Sequence, residues 1–251
     1  MARFVFHPAP EVGRVLSLPE EESHHVSVQR FAPGDNLLVS DGRGRLYRGR
    51  LLGEEEKVQV LIEEKVKEET PPFFFSVWQG LLKSPSRMDW LVEKLTEVGV
   101  TEIVFFPAER SLREGCTGGR LRRWERIALS ACKQSGRLWF PEVVSVSSWG
   151  EFLHRLSSFK GDVVLADPLG ERSVAEVLGA ERFSDSVTLI VGPEGDFTEK
   201  EKREIFETRK VWSLRLCRTI LRSETAALFG ASVFIAFMEV HHAGGNKDSG
   251  M

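Results

Sequence analysis

Two short polar stretches hold the residue types best able to do chemistry: Gly192-Pro193-Glu194-Gly195-Asp196-Phe197 and Ile220-Leu221-Arg222-Ser223-Glu224-Thr225-Ala226-Ala227. The first follows Thr188-Leu189-Ile190-Val191, an apolar β-branched run that reads as a buried strand, and the second leads into a long apolar helix. Both would lie where a dry core opens to solvent. An arginine is disfavoured beside the positive end of a helix dipole, so Arg222 is best explained by something negative or polar that it binds. Ser223 or Thr225 can be accounted for as an N-cap. Gly192 and Gly195 would let backbone approach a ligand closely, although an ordinary tight strand-to-helix turn explains the same loop. Neither stretch fits the GxGxxG or GxxxxGK patterns, so a dinucleotide or nucleoside triphosphate is not indicated.

A third candidate is the basic run 110–137. It sets Arg110, Arg113, Arg120, Arg122, Arg123, Arg126, Lys133 and Arg137 against Glu109, Glu114 and Glu125, with Trp124 and Trp139 nearby. Such a surface suits an RNA backbone and base stacking, while a solvated helix face is the default reading of any charge run. Arg43, Arg45, Arg48 and Arg50 form a smaller group that strand alternation splits between two faces unless a bulge intervenes. His24-His25 lack a third ligand, and Asp89 and Glu93 read as surface or capping residues, so no metal site is expected.

The elements around these residues divide the chain. Over residues 1–70, short strand candidates at 36–40, 46–52 and 57–62 alternate with turns, and one helix falls at 19–30, the pattern of a small barrel. The charged stretch 63–72, ending in Pro-Pro, reads as a linker. From Phe73 onward strands alternate with helices, which predicts a mostly parallel sheet covered on both faces. Capping boxes are suggested by Ser86-x-x-Asp89 and Thr198-x-x-Glu201. The resulting division is 1–70, 71–242 and a polar, disordered tail 243–251, within a wider polar stretch beginning at His241.

Of the 251 residues, 34 are Lys or Arg and 37 are Asp or Glu, a net charge of −3. A protein that coats nucleic acid by charge alone would be basic, so any contact here must use a local patch. Cys116, Cys132 and Cys217 are odd in number and scattered, which reads as reduced thiols. The N-terminal residues lack a long apolar segment, and the apolar stretch 226–240 reads as too short to span a bilayer. A cytoplasmic, soluble protein with no membrane partner is expected.

Further motifs lie along the chain in order: His24-His25 with Arg30 and Gly34-Asp35; Arg87-Met88-Asp89-Trp90 with Glu93-Lys94; Thr96-Glu97-Val98-Gly99-Val100; Glu109-Arg110-Ser111; and Arg123-Trp124 with Gln134-Ser135-Gly136-Arg137. With Gly192-Pro193-Glu194-Gly195 and Ile220-Leu221-Arg222-Ser223-Glu224-Thr225-Ala226, they make the sequence resemble the 16S ribosomal RNA uracil-N3 methyltransferases, the RsmE family of the SPOUT superfamily. The resemblance implies a PUA-like RNA-docking barrel followed by a trefoil-knotted α/β domain with a mostly parallel sheet and helices on both faces. It implies bent S-adenosylmethionine in a pocket lined by Ala166, Val191, Gly192, Pro193, Glu194, Gly195, Leu214, Leu216, Ile220, Leu221, Thr225 and Ala226. It implies 16S rRNA in the 30S subunit as substrate, met by Arg30, Arg110, Arg113, Arg123 and Arg137, and a homodimer joined through the last helix. Arg222 would stabilise negative charge on the uracil oxygens, and Glu224 or Glu194 would orient it or accept the N3 proton. Two departures stand out: Cys217 where relatives usually have glycine, and Lys133 where an acidic residue is common. The rival readings are another RNA position as target, or a non-catalytic ribosome-assembly factor.

Overall fold

The computed structural model describes residues 4–28, 31–54, 57–111 and 118–245. The chain divides into two compact units, Met1–Pro71 with Cys132–Phe140, and Pro72–Ala131 with Pro141–Met251. The nine-residue return of 132–140 to the first unit has no counterpart in a linear division of the sequence.

The first unit holds β1 (Phe4–Phe6), β2 (Val15–Ser17), α1 (Glu20–Val28), β3 (Asn36–Ser40), β4 (Arg45–Glu54) and β5 (Val58–Glu68). They form one sheet in the order β1-β3-β4-β5-β2, parallel between β1 and β3 and antiparallel elsewhere. Three register shifts between β4 and β5 bend it around a core of Val5, Leu18, Leu37, Val39, Val60 and Ile62. The stretch 63–72 is therefore not mainly a linker, because β5 runs through its first six residues. Its glutamates are cross-strand partners: Glu68, Glu64 and Glu63 pair with Arg45, Arg48 and Arg50 at 3.0, 2.5 and 2.7 Å. Charge that looked like a solvated linker is an ion-pair ladder, and it neutralises most of the smaller arginine group.

The second unit contains β6 (Phe74–Gly80), α2 (Pro85–Glu97), β7 (Glu102–Phe106), α3 (Gly118–Ser135, whose last turn belongs to the first unit), β8 (Glu142–Ser145), α4 (Trp149–Ser158) and β9 (Asp162–Ala166). It continues with β10 (Arg172–Ser173), α5 (Val174–Ala180), β11 (Ser186–Val191), α6 (Glu199–Thr208), β12 (Trp212–Arg215) and α7 (Ser223–Gly245). The sheet order is β10-β12-β9-β11-β6-β7-β8, and every described pair is parallel. Strand β12 returns between β9 and β10, the insertion expected of a knotted arrangement.

Burial on both faces explains why these strands are apolar at most positions. Phe75, Val77, Ile103, Phe105, Val164 and Leu189 face one cluster with α2, α3, α5 and α7; Trp78, Val104, Phe106, Val163, Leu165 and Ile190 face another with α4 and α6. Phe234 of α7 is fully buried and stacks on Phe75 at 5.8 Å between centroids, so truncating it to alanine would cost about 3–5 kcal/mol.

Local signals met mixed outcomes. Thr198 and Glu201 form the expected capping box, and Ser173 with Glu176 forms another. Ser86 and Asp89 do not: Ser84 is the N-cap of α2, Pro85 begins the helix, and Asp89 is drawn instead to Arg123 at 2.8 Å. The tail is helical through Gly245, so only 246–251 of the expected disordered segment lie outside the described residues. Within α7, Ser223–His241 is long and apolar enough to cross a membrane, contrary to the shorter reading. It packs Ala227, Ala231, Phe234 and Met238 into the domain core.

Candidate active site

Because the strands are parallel, the C-terminal ends of β9, β11 and β12 open along one edge. A cavity of about 450 Å³ lies there, walled by the segments after Ala166, Val191 and Arg215 and by the start of α7. Most of the expected lining residues are present: Ala166, Val191, Gly192, Pro193, Glu194, Leu216, Ile220, Leu221, Arg222 and Ala226. Gly195, Leu214, Thr225 and Glu224 are not among them. Leu214 is buried in the core beneath, Thr225 points outward from α7, and Glu224 is buried behind the cavity wall.

The loops are tied together by hydrogen bonds between buried groups. Gln79 Nε2 donates to Ser223 Oγ at 2.8 Å and to the Gly192 carbonyl at 3.2 Å, and Ser223 Oγ donates to the same carbonyl. Thus β6 fixes the distance between the two stretches that carry the chemistry. A second tie is Lys202 of α6, which reaches Asp167 and Asp196, each at 3.2 Å. Burial works against its ammonium, but the two carboxylates outweigh it and raise its pKa. Ser213 Oγ also donates to Asp167, so the ends of β9 and β12 share one carboxylate.

The glycines serve packing more than ligand approach. A Cβ on Gly195 would lie 2.9 Å from Arg110 Cβ, and one on Gly192 would lie 3.1 Å from both Asp196 and the Phe197 ring. The strained residue of the loop is Asp196 itself, at φ 56°. Cys217 lines the cavity with ordinary φ, so its Cβ needs no left-handed backbone, and its Sγ turns back to Thr219.

On the acid side, Glu194 accepts from Lys83 N–H at 3.1 Å and lies 4.0 Å from Arg87. Glu224 lies 3.5 Å from Arg87. Arg222 is exposed and makes no ion pair among the described residues. Arg87 and Thr219 fall outside the segments expected to line the pocket, while Asp167, Pro168, Asp196, Arg215 and Ser223 lie within those segments, after Ala166, after Val191, at 214–217 and at 220–226, without having been singled out as lining residues; Arg87 stood within a motif already noted.

The basic run is less continuous than its sequence. Arg110 Nη1 donates to the Gly195 carbonyl at 3.0 Å, which brings that arginine beside the cavity loop. Arg122, Arg123 and Arg126 are exposed on α3, though Arg123 is held by Asp89. Arg137 belongs to the first unit, and burial lowers its pKa. Lys133 is matched by buried Glu22 at 2.7 Å. Trp124 is buried against Phe105 and cannot stack on a base; Trp139 is half-buried and donates to the Glu69 carbonyl. Arg30 and Arg113 lie outside the described residues, as does Cys116. No cluster of three metal-ligating side chains occurs among the described residues.

Comparison with known proteins gives this geometry a context. A family described as RNA methyltransferase domain matches residues 69–235, and one described as RNA methyltransferase PUA domain matches residues 18–63. A ribosomal RNA small subunit methyltransferase E from Bacillus subtilis is 30% identical over 232 residues, spanning 88% of this chain and 90% of the relative. One from Mycobacterium bovis is 31% identical over 241 residues, spanning 89% and 87%. A crystal structure of the Neisseria gonorrhoeae protein of that name, bound to S-adenosyl methionine, superposes with a TM-score of 0.81 at 27% identity, covering 96% of this chain and 98% of that one.

Proposed function

The chain belongs to the ribosomal RNA small subunit methyltransferase E family, and we propose from that premise that it methylates N3 of a uridine in 16S rRNA, with S-adenosylmethionine as donor. The observation that carries this reading is the cavity at the C-terminal strand ends. Its volume of about 450 Å³ lies in the range of cofactor sites. Ala166, Val191, Leu216 and Leu221 offer apolar wall for a purine ring; Asp167 and Asp196 offer acceptors for hydroxyls and an ammonium; Arg215 offers donors for a carboxylate. These residues fit the donor, which when bound supplies an electrophilic methyl group on a sulfonium.

What remains for the protein is positioning and charge. Uracil N3 is protonated at neutral pH and becomes nucleophilic as that proton leaves, spreading negative charge onto O2 and O4. Arg222, unpaired among the described residues and lining the cavity, stabilises that charge. Glu194 lines the same cavity, anchored by the Lys83 N–H, and its carboxylate accepts the N3 proton. Arg110 and the exposed arginines of α3 hold RNA backbone. The substrate is the 30S subunit, the enzyme works in the cytoplasm, and two copies pair through the outer face of α7.

Titration calorimetry tests the donor assignment. One equivalent of S-adenosylmethionine per chain is expected to bind, and Asp167→Ala is expected to weaken it about tenfold through loss of an acceptor and of the Lys202 tie. An absence of binding heat at millimolar donor would sink the assignment.

A further inference from the structure

One further arginine, Arg87, reaches the cavity. Arg87 sits at the first turn of α2, lines the cavity, and lies within reach of two carboxylates, Glu194 at 4.0 Å and Glu224 at 3.5 Å. Those are the two acids that sequence reasoning assigned to Arg222 or to proton transfer, and Arg222 pairs with neither. Glu224 is in an unusual position for a base. Its side chain is only 9% exposed, and its Oε2 is sealed from solvent with no hydrogen-bond partner among the described residues. A carboxylate buried in that state is held by its ion pair with Arg87, and a substrate cannot reach its other oxygen without displacing the wall.

We infer that Glu224 acts through Arg87: Glu224 is a positioning residue that fixes the Arg87 guanidinium at the cavity, and Arg87 is a second substrate-facing cation beside Arg222. A guanidinium presents several donors in a rigid fork, so it can keep a carboxylate behind and still donate forward. It lines the same cavity as Arg222, which has no ion pair among the described residues, and two such cations give the two carbonyl oxygens of a uracil ring one donor each. Cytosine offers an amino group at one of those positions, which two cations would not favour. The pair therefore contributes to selection of uracil as well as to charge stabilisation. The inference rests on the methyltransferase reading above for its substrate, while the Glu224–Arg87 coupling itself does not.

The test combines melting and kinetics. In thermal unfolding, Arg87→Ala strands the buried Glu224 charge and is expected to lower the melting temperature by about 5 °C, and adding Glu224→Gln is expected to restore most of that loss. In methylation of 30S particles, Arg87→Ala is expected to lower kcat about 100-fold, with KM and the calorimetric affinity for S-adenosylhomocysteine within about threefold. Arg87→Lys keeps charge without the fork and should recover about a tenth of the activity. Glu224→Gln, whose amide oxygen still holds Arg87, is expected to cost less than about fivefold and to leave the pH–rate profile in place. Loss of that profile in Glu224→Gln, wild-type kcat in Arg87→Ala, or simple additivity of the two melting shifts would overturn the inference. A wild-type enzyme that leaves 30S particles unmethylated would overturn the substrate reading and the catalytic half of this one, with the melting cycle still reporting on the pair.

Discussion

Arg222 illustrates what a residue type can disclose and what it cannot. Its place before an apolar helix, against the dipole, marked it for a ligand, and it lines the cavity with no ion pair among the described residues. Replacing it by alanine should cut kcat about 100- to 1000-fold while S-adenosylmethionine affinity, read by calorimetry, stays within about fivefold. Unchanged turnover would remove Arg222 from the mechanism. Glu224 shows the converse. Its proximity in sequence to Arg222 suggested partnership, yet positions two apart at a helix start point to roughly opposite sides, and Glu224 faces Arg87 instead. Arg87 lies 137 positions earlier in the chain, so nothing local could have paired them. Glycine types were also misleading, since the missing Cβ of Gly195 is used to admit Arg110 rather than a ligand.

At the scale of elements, the second unit was legible because parallel strands covered on both faces must be largely apolar on both faces. Strands β6, β7, β9 and β11 announce themselves in that way. Strand β12 did not, because Trp212-Ser213-Leu214-Arg215 is short and mixed, and it pairs only through its fold neighbours. The three-residue strands β1 and β2 were equally silent, and β5 hid its second half behind charge whose partners lie across the sheet. Lys202 is the element-level device most open to test, since it joins the loops after β9 and β11 from the buried side of α6. Lys202→Met should weaken S-adenosylmethionine binding about tenfold, because both loops lose their tie. The sign of its pH dependence follows from the raised pKa. A lysine whose folded value exceeds the ordinary 10.5 contributes stability in full below 10.5 and loses it only as pH rises through the elevated value. The melting difference between wild type and Lys202→Met should therefore be constant from about pH 7 to 9 and shrink only at higher pH. A difference that disappears within that neutral range would contradict the bridge.

For the whole molecule, α7 presents two different faces. One face enters the core through Ala227, Ala231, Phe234 and Met238, while Phe229 and Val240 stay exposed at 39% and 71% on the other. An apolar stripe of that kind, spaced along one helix, suits a second copy of the same helix. Phe229→Glu is expected to shift sedimentation at micromolar concentration from dimer to monomer, whereas unchanged sedimentation would assign the stripe elsewhere. Whole-chain features were read more securely by resemblance than by pattern: alternation alone led to a plain doubly wound sheet, and neither the insertion of β12 between β9 and β10 nor the return of 132–140 to the first unit leaves a local trace. The central claim, that this chain places a methyl group on uracil N3 of small-subunit rRNA, is tested most directly by mass spectrometry of nucleosides. 30S particles lacking the modification would be incubated with the protein and S-adenosylmethionine, digested and analysed. The expected result is one equivalent of 3-methyluridine per particle, absent without the protein; a different methylated nucleoside, or none, would contradict it.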